Sequence, residues 1–351
     1  GPGCDVSGWG PHALLPYYQT RNPELKRMLE RYRPRPPRGL NSLLLLMTAD
    51  DSVVPGSKSK VKIKRESVLF PDLGFLFLNN EPNDLWFAMV YGSHIGHGHY
   101  DRLGFELYGG GALQSIDDGS GPYDQYHDEF DVKSLAHNTI VVDMENQNAG
   151  AGKLLKWQPQ GEVKIASIAS SQLYNGVTLT RTAIMFPEAV LLLDRSESDK
   201  PHIYDWTYHN MGAIVAAPVM KETPPLAEKG MYTYLKNLKK VVLPMQVVTV
   251  EFRQRKLKGE KAGSGLLLTR LPVEGTTLYS ANTGHGYKRR YDCATLIFRN
   301  RTKSFNCVTL LEPLKPGAKP VYSVARKGET IIVSNVNNIW NINNLKVVKV
   351  K

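Results

Sequence analysis

The sequence predicts a mainly β protein, a large antiparallel β-sandwich preceded by a short helical segment. Three observations predict it. From about Ser67 onward, short runs rich in β-branched and aromatic residues recur between Gly, Pro, Asn and Asp. No helical pattern separates those runs, as alternating βα units would require. Helix signals are confined to about the first fifty residues. With 351 residues and 42% hydrophobic content, the chain has ample apolar material for one large domain or two smaller ones.

In "NPELKRMLERY", Asn22 is suited to cap a helix and Pro23 to occupy its first position, where a missing N–H costs nothing. Leu25, Met28, Leu29 and Tyr32 then form one apolar stripe at helical spacing. The prolines of "RPRPPR", Arg33 to Arg38, end that helix, and a second is expected across "GLNSLLLLMTADD". The expected organisation is helices over residues 1–56, a basic linker "SKSKVKIKRE" over 57–66, and the sandwich over 67–351. A helical piece this small cannot hold its own core, so it docks on the sandwich or completes a helical domain encoded upstream.

The strands are read from "SVLFPDLGFLFL", "DLWFAMVYGS", "LGFELYGGG", "HNTIVVDM", "EVKIASIAS", "AVLLLDRS" and, near the end, "TIIVSNV". "YDWTYHN", with His209, alternates as a packed strand does, and "GGG" at Gly109 to Gly111 signals a turn or bulge. "KNLKK", Lys236 to Lys240, reads as a solvated loop. So does "TGHGYKRRY", whose Lys288, Arg289 and Arg290 can touch an anionic sugar.

Forty-four Lys and Arg against thirty-three Asp and Glu give a net charge of +11, which favours a polyanionic partner such as nucleic acid, an acidic polysaccharide or an anionic surface. No zinc-finger spacing or RNA-binding signature supports nucleic acid. The longest apolar run, "LLLLM", is far short of the roughly 18 residues of a membrane span. The opening "GPGCDVSGWG" lacks the basic-then-apolar pattern of a signal peptide, and its abrupt start suggests a processed chain or the later part of a longer protein. Of three cysteines none forms a C-x-x-C pair, so a Cys293–Cys307 disulfide and free thiols both stay open.

The stretch "GSHIGHGHYDRLGFELYGGG" sets His94, His97 and His99 just ahead of a predicted strand. On a strand His97 and His99 would share a face, with Gly98 leaving room between them. Downstream, "SIDDGSGPYDQYHDEF" offers Asp117, Asp118, Tyr123, Tyr126 and His127, and "SLAHNTIVVD" offers His137. A carboxylate with two neutral imidazoles makes a three-ligand set for Zn²⁺ or a similar ion, with a fourth position open. Separations this long are not a recognisable metal spacing, so the residues alone leave metal binding and ordinary packed histidines both open.

Taken in order, "GHGHYDRLGFELYGGG", "DDG", a Tyr-containing loop and "AHNTIVVD" resemble the β-sandwich half of the heparinase II/III-like polysaccharide lyases, a group that includes heparin and heparan sulfate lyases and oligoalginate lyases. The resemblance runs from Arg65 to Thr309 in general pattern and is specific between Gly92 and Asp143. It implies a structural zinc on His99, Asp117 and His137, with Asp118 the register alternative to Asp117. It implies His97 at the substrate cleft, in proton transfer or carboxylate contact, and Tyr123, then Tyr126, as the tyrosine that approaches substrate. His94, Lys288 and Arg289 are further candidates for binding the sugar.

The activity so implied is β-elimination on a uronic-acid polymer, with a glycosaminoglycan such as heparan sulfate slightly favoured over alginate by the positive charge. Family members carry an α/α toroid before the sandwich, which contributes an Asn-His pair and a catalytic Tyr. Nothing before residue 67 matches these, so residues 1–56 correspond to the toroid's last helices and turnover is expected to need the upstream part. A second copy of the chain is a further candidate partner, and the family implies a periplasmic or secreted location. The competing readings are a uronate C5-epimerase and a non-catalytic carbohydrate-binding module.

Overall fold

Strands buried on both faces have no polar face to alternate with and read as unbroken apolar runs, as "AVLLLDRS" does. Such strands form the middle of this molecule. The computed structural model describes residues 66–94, 98–117, 123–254, 263–285 and 291–351, together with Pro23. The chain divides into two units, Gly1–Arg65 and Glu66–Lys351, and the architecture here is that of the second. Apart from Pro23, which is helical, the expected helices of residues 1–56 lie outside the described residues, as does the linker up to residue 65.

The described residues form three antiparallel sheets. The first has five strands in chain order: β1 (Val68–Phe70), β2 (Phe75–Asn80), β3 (Leu85–Val90), β4 (Phe105–Gly109) and β5 (Ala112–Ser115). The second has twelve: β6 (Ile140–Val142), β7 (Lys153–Gln158), β8 (Lys164–Tyr174), β9 (Val177–Met185), β10 (Val190–Asn210), β11 (Ala213–Ala216), β12 (Lys221–Glu222), β13 (Lys236–Val242), β14 (Val248–Arg253), β15 (Gly265–Arg270), β16 (Thr277–His285) and β17 (Tyr291–Leu314). Its main path runs β11-β14-β15-β17-β10-β9-β8-β7, with β16, β13 and β12 branching from β17, and β6 pairing with β10. The last sheet has four strands: β18 (Ser323–Lys327), β19 (Thr330–Ser334), β20 (Ile339–Asn343) and β21 (Lys346–Lys349).

The period-two alternation of strands sends neighbours on β8, β9 and β10 to opposite sides. Ala166, Ala183, Met185 and Leu192 pack with Leu76, Phe87, Met89, Phe105 and Leu107 of the five-stranded sheet. Ile165, Ile184 and Leu191 pack instead with Val333, Trp340 and Ile342 of the four-stranded sheet. The central sheet is therefore covered twice, and its apolar runs have partners on both sides.

Where the sequence suggests a bulge, Gly110 and Gly111 take φ of +64° and +93° to turn β4 into β5, conformations that cost glycine little. "KNLKK" is not a loop. It is β13, a lysine-studded strand pairing with β16 whose Leu238 is buried, and the side-chain charges masked that one anchoring position. Cys293 and Cys307 are both buried and are not joined to each other by a disulfide, and burial pushes the Cys307 thiol up to about 12. No helix among the described residues is long and apolar enough to cross a membrane.

Candidate functional site

The histidine-rich stretch leaves β3 at a point fixed by two glycines. Gly74 has φ +66°, and a Cβ there would lie 2.0 Å from the Gly92 backbone, so only glycine allows the contact. Tyr91 and Gly92 both donate their N–H groups to Gly74 O at that crossing, at 2.6 and 3.0 Å. His99 does not stand on a strand: residues 98–104 form a loop before β4, and His97 lies outside the described residues. The loop departs from strand geometry because a side chain takes its carbonyls. Arg102, 5% exposed, donates to Ser93 O and His99 O at 3.2 Å each, and pairs with the Asp101 carboxylate.

The other ligand candidates are held by different devices. Asp117 stands two residues beyond β5, and His137 ends the short 3₁₀ turn Ser134–Ala136 with extended backbone. Between them works Asn138, fully buried. Its Nδ2 donates to Phe105 O at 2.8 Å and to Ile116 O at 2.6 Å, while its Oδ1 accepts the His209 N–H at 2.7 Å. One side chain thus ties β4, the residue before Asp117 and β10 together. Thr139 donates to Arg102 O at 2.7 Å, and Arg102 exchanges two further bonds with Gln147, at 2.9 and 3.0 Å. Beneath them Arg181, 0% exposed, is paired with Asp194 at 2.6 Å and donates also to Leu103 O and Asn138 O.

On this frame His99, Asp117 and His137 converge, each with a ligand atom within 4.8 Å of the others. The rings of His99 and His137 lie 5.2 Å apart, and His137 Nδ1 is 2.8 Å from Asp117 Oδ1. Burial alone would raise the Asp117 carboxyl. The charge and hydrogen bond of His137, with His99 and His209, reverse this and hold it below its ordinary value. The carboxylate is therefore ionised near neutrality and accepts the Nδ1–H of His137. Burial raises the nearby Asp101 instead, against the pull of His137 and Arg102 and with the push of Asp117. An anionic carboxylate beside two imidazoles is a donor set that fits zinc. Zinc bonds of about 2.0–2.2 Å place ligand atoms roughly 3.3 Å apart, which small side-chain rotations reach from the observed spacing.

The remaining candidates separate. Tyr123 is 70% exposed and its ring lies 4.6 Å from that of His127, which in turn is 6.1 Å from His99. Tyr126 is packed between Phe130 and Tyr234, and its hydroxyl accepts the Gly284 N–H at 3.0 Å. His94 stacks on Tyr100, the residue after His99, with ring centres 4.5 Å apart. Asp118, Lys288 and Arg289 lie outside the described residues. His127 has no role assigned by the sequence, yet it opens a π-helical turn, His127–Asp131, and its Nδ1 stands 3.7 Å from the buried Asp131. Its i, i+4 spacing to Asp131 is the signal that was there to read. Asn138, Arg181 and Asp194 carry no comparable local mark.

Comparison with known proteins places the fold. The profile of the family described as Heparinase II/III-like, C-terminal matches residues 62–292. An alginate lyase of Stenotrophomonas maltophilia (strain K279a) is 28% identical over 171 residues, covering 40% of this chain and 23% of that protein. Among solved structures, heparinase III (the BT4657 gene product) superposes with a TM-score of 0.62 at 15% identity, covering 97% of this chain and 48% of that one. A mutant of the heparan sulfate lyase HepC from Pedobacter heparinus gives 0.61 at 13% identity, over 97% and 48%. These structures share the fold, and the chain spans about half their length and about a quarter of the alginate lyase. The chain belongs to the heparinase II/III-like family and carries its C-terminal domain.

Proposed function

We propose that this chain is the sandwich part of a polysaccharide lyase that cleaves uronic-acid polymers by β-elimination. The observation that carries the reading is the convergence of His99, Asp117 and His137 from three separate loops, in a member of this family. The alginate lyase and heparan sulfate lyase among its relatives both act, by their names, on acidic polysaccharides. A net charge of +11 suits a polyanionic substrate, a sulfated glycosaminoglycan more than alginate.

Elimination removes the proton on C5 of a uronate, forms the C4=C5 double bond and expels the O4-linked sugar, whose oxygen takes up a proton. The C5 proton is barely acidic while the adjacent carboxylate is charged, so donors that neutralise the carboxylate stabilise the enolate-like transition state. Tyr123, exposed at the edge of the site, is the group of this chain assigned to proton transfer, with His97 as carboxylate contact or second proton carrier. Tyr126, its hydroxyl engaged by Gly284, takes second place. Zinc on His99, Asp117 and His137 supplies fixed positive charge that orders the surrounding loops and leaves bond breaking to the side chains. Residues toward the N-terminal side, in the same polypeptide or a partner chain, supply the rest of the active site. Such an enzyme meets its polymer outside the cytoplasm, in the periplasm or the medium.

The test supplies the chain, with its upstream part, with heparan sulfate, chondroitin sulfate, hyaluronan and alginate in parallel, and follows the absorbance of the unsaturated uronate. Product from at least one polymer, lost in Tyr123→Phe, is expected, together with bound zinc that His99→Ala removes. Inversion at C5 without unsaturation would make the protein an epimerase, and no change in any polymer would make it a binding module.

A further inference from the structure

Beside the metal candidate, the central sheet holds a second concavity that the proposed chemistry does not use. It is a cleft of about 220 Å³, floored by small residues including Gly212, Ala281 and Ala294, and rimmed by Asn237, Lys239 and Asn282. It adjoins the site through one packed cluster. Gly212 and Ala294 directly follow Met211 and Cys293, which are buried together with Ile116, the residue before Asp117.

The rim is built by a bulge. Pairing of β13 with β16 slips between Lys236 and Lys239, and within the slip Asn237 takes φ +53°, a left-handed conformation that Asn tolerates better than most residues. The bulge turns the Asn237 amide across to Asn282, where Nδ2 donates to Oδ1 at 3.3 Å. One mutual bond uses only part of the donor and acceptor capacity of two amides, and what is left matches vicinal hydroxyls, which also both donate and accept. Lys236, Lys239 and Lys240 of β13 and Lys221 of β12 are all exposed along this edge, with Glu222 opposite Lys239. No aromatic residue lines the cleft, so a nucleic-acid base finds no stacking surface there.

We propose that this cleft is a subsite for an outlying sugar of an acidic polysaccharide, with Asn237 and Asn282 holding hydroxyls and Lys239 a carboxylate or sulfate. The proposal rests on the lyase reading for the identity of the polymer, and it adds a place where chain length is sensed. Its test is calorimetric titration of the full chain with oligouronides of two and of eight sugars, prepared from alginate and from heparan sulfate. In the double variant Lys239→Ala/Asn282→Ala, affinity for the eight-sugar probes falls about tenfold, while that for the two-sugar probes stays within about twofold. Ala213→Trp, which fills the cleft mouth and leaves the polar rim intact, gives the same selective loss, and Lys239→Arg retains binding. Melting temperatures equal to wild type show that the variants fold. Eight-sugar affinity unchanged in the variants, an equal loss for both lengths, or no binding by the wild-type chain overturns the subsite. Failure of the lyase reading looks different: no unsaturated product forms, yet the length-dependent loss persists.

Discussion

Replacing Asn138 by Ala tests whether the frame beneath the metal candidate does what its geometry implies. The side chain is fully buried and makes three hydrogen bonds, to Phe105 O, Ile116 O and His209 N, of 2.8, 2.6 and 2.7 Å. A buried group stranded without its partner costs about 1–3 kcal/mol, so three such groups, partly relieved by relaxation, cost about 3–5 kcal/mol. At roughly 2–4 °C per kcal/mol for a domain of this size, the melting temperature falls by roughly 10 °C. Stability alone does not distinguish a positioning role from ordinary packing. Zinc affinity does, because Asn138 holds the carbonyl next to Asp117, and loss of such a support typically weakens a metal site by about 10–100-fold. Leu310→Ala supplies the comparison. Its side chain is 1% exposed in the layer against the four-stranded sheet, and its loss costs a similar 2–5 kcal/mol or so. Thermal melts and competitive zinc titration of both variants decide the matter. Equal zinc affinity in Asn138→Ala and Leu310→Ala would refute the argument.

Two further outcomes follow from ion pairs elsewhere. Asp194→Asn leaves the Arg181 guanidinium buried without its counter-charge, so stability in urea drops by about 3–5 kcal/mol, and Arg181→Met/Asp194→Leu together recover much of it; a loss under about 1 kcal/mol for the single variant would contradict this. Asp143 meets His202 Nδ1 at 2.5 Å; burial raises its carboxyl, but the bonds from His202 and Ile203 N, with the charges of His202 and Lys200, bring it below its ordinary value. A carboxyl lowered in the folded state adds stability that is fully present above the unfolded value near about pH 4 and is lost as pH falls through the lower folded value. With the Asp143 side chain 47% exposed, the contribution is at most about 1 kcal/mol. Asp143→Asn therefore flattens the acid limb of the stability curve slightly, and an acid limb identical to wild type would count against the pair.

Much of the β architecture was written in local patterns. The β-rich runs "EVKIASIAS" and "AVLLLDRS" became β8 and β10, and "GGG" became the turn between β4 and β5. The same local logic failed where charge hid an anchor, as in β13, and where a side chain captured backbone carbonyls, as Arg102 does in the histidine loop. The ligand set became legible only through the order of its motifs, because His99, Asp117 and His137 share no element whose periodicity would align them. Arg181 and Asp194 sit on two strands where an apolar pair would fit the pattern as well. Their burial follows from tertiary pairing of β9 with β10, which matches Arg181 to Asp194 in register.

That placement explains the division of labour around the site. Each of the three candidate ligands stands in a connection outside the strands, where the backbone lacks a ladder to fix it. Side chains supply the missing bonds: Arg102 for the loop of His99, Asn138 for the approach to Asp117, and Thr207 for His137, whose carbonyl it meets at 2.5 Å. These supports are buried and hold the protein parts of the loops, while the ring of Tyr123 is exposed. A cation drawing His99, Asp117 and His137 together would therefore act on loops already positioned to within a few ångströms. Its contribution would be registration of the final contact, and substitutions in the frame should then lower metal affinity even where they touch no ligand.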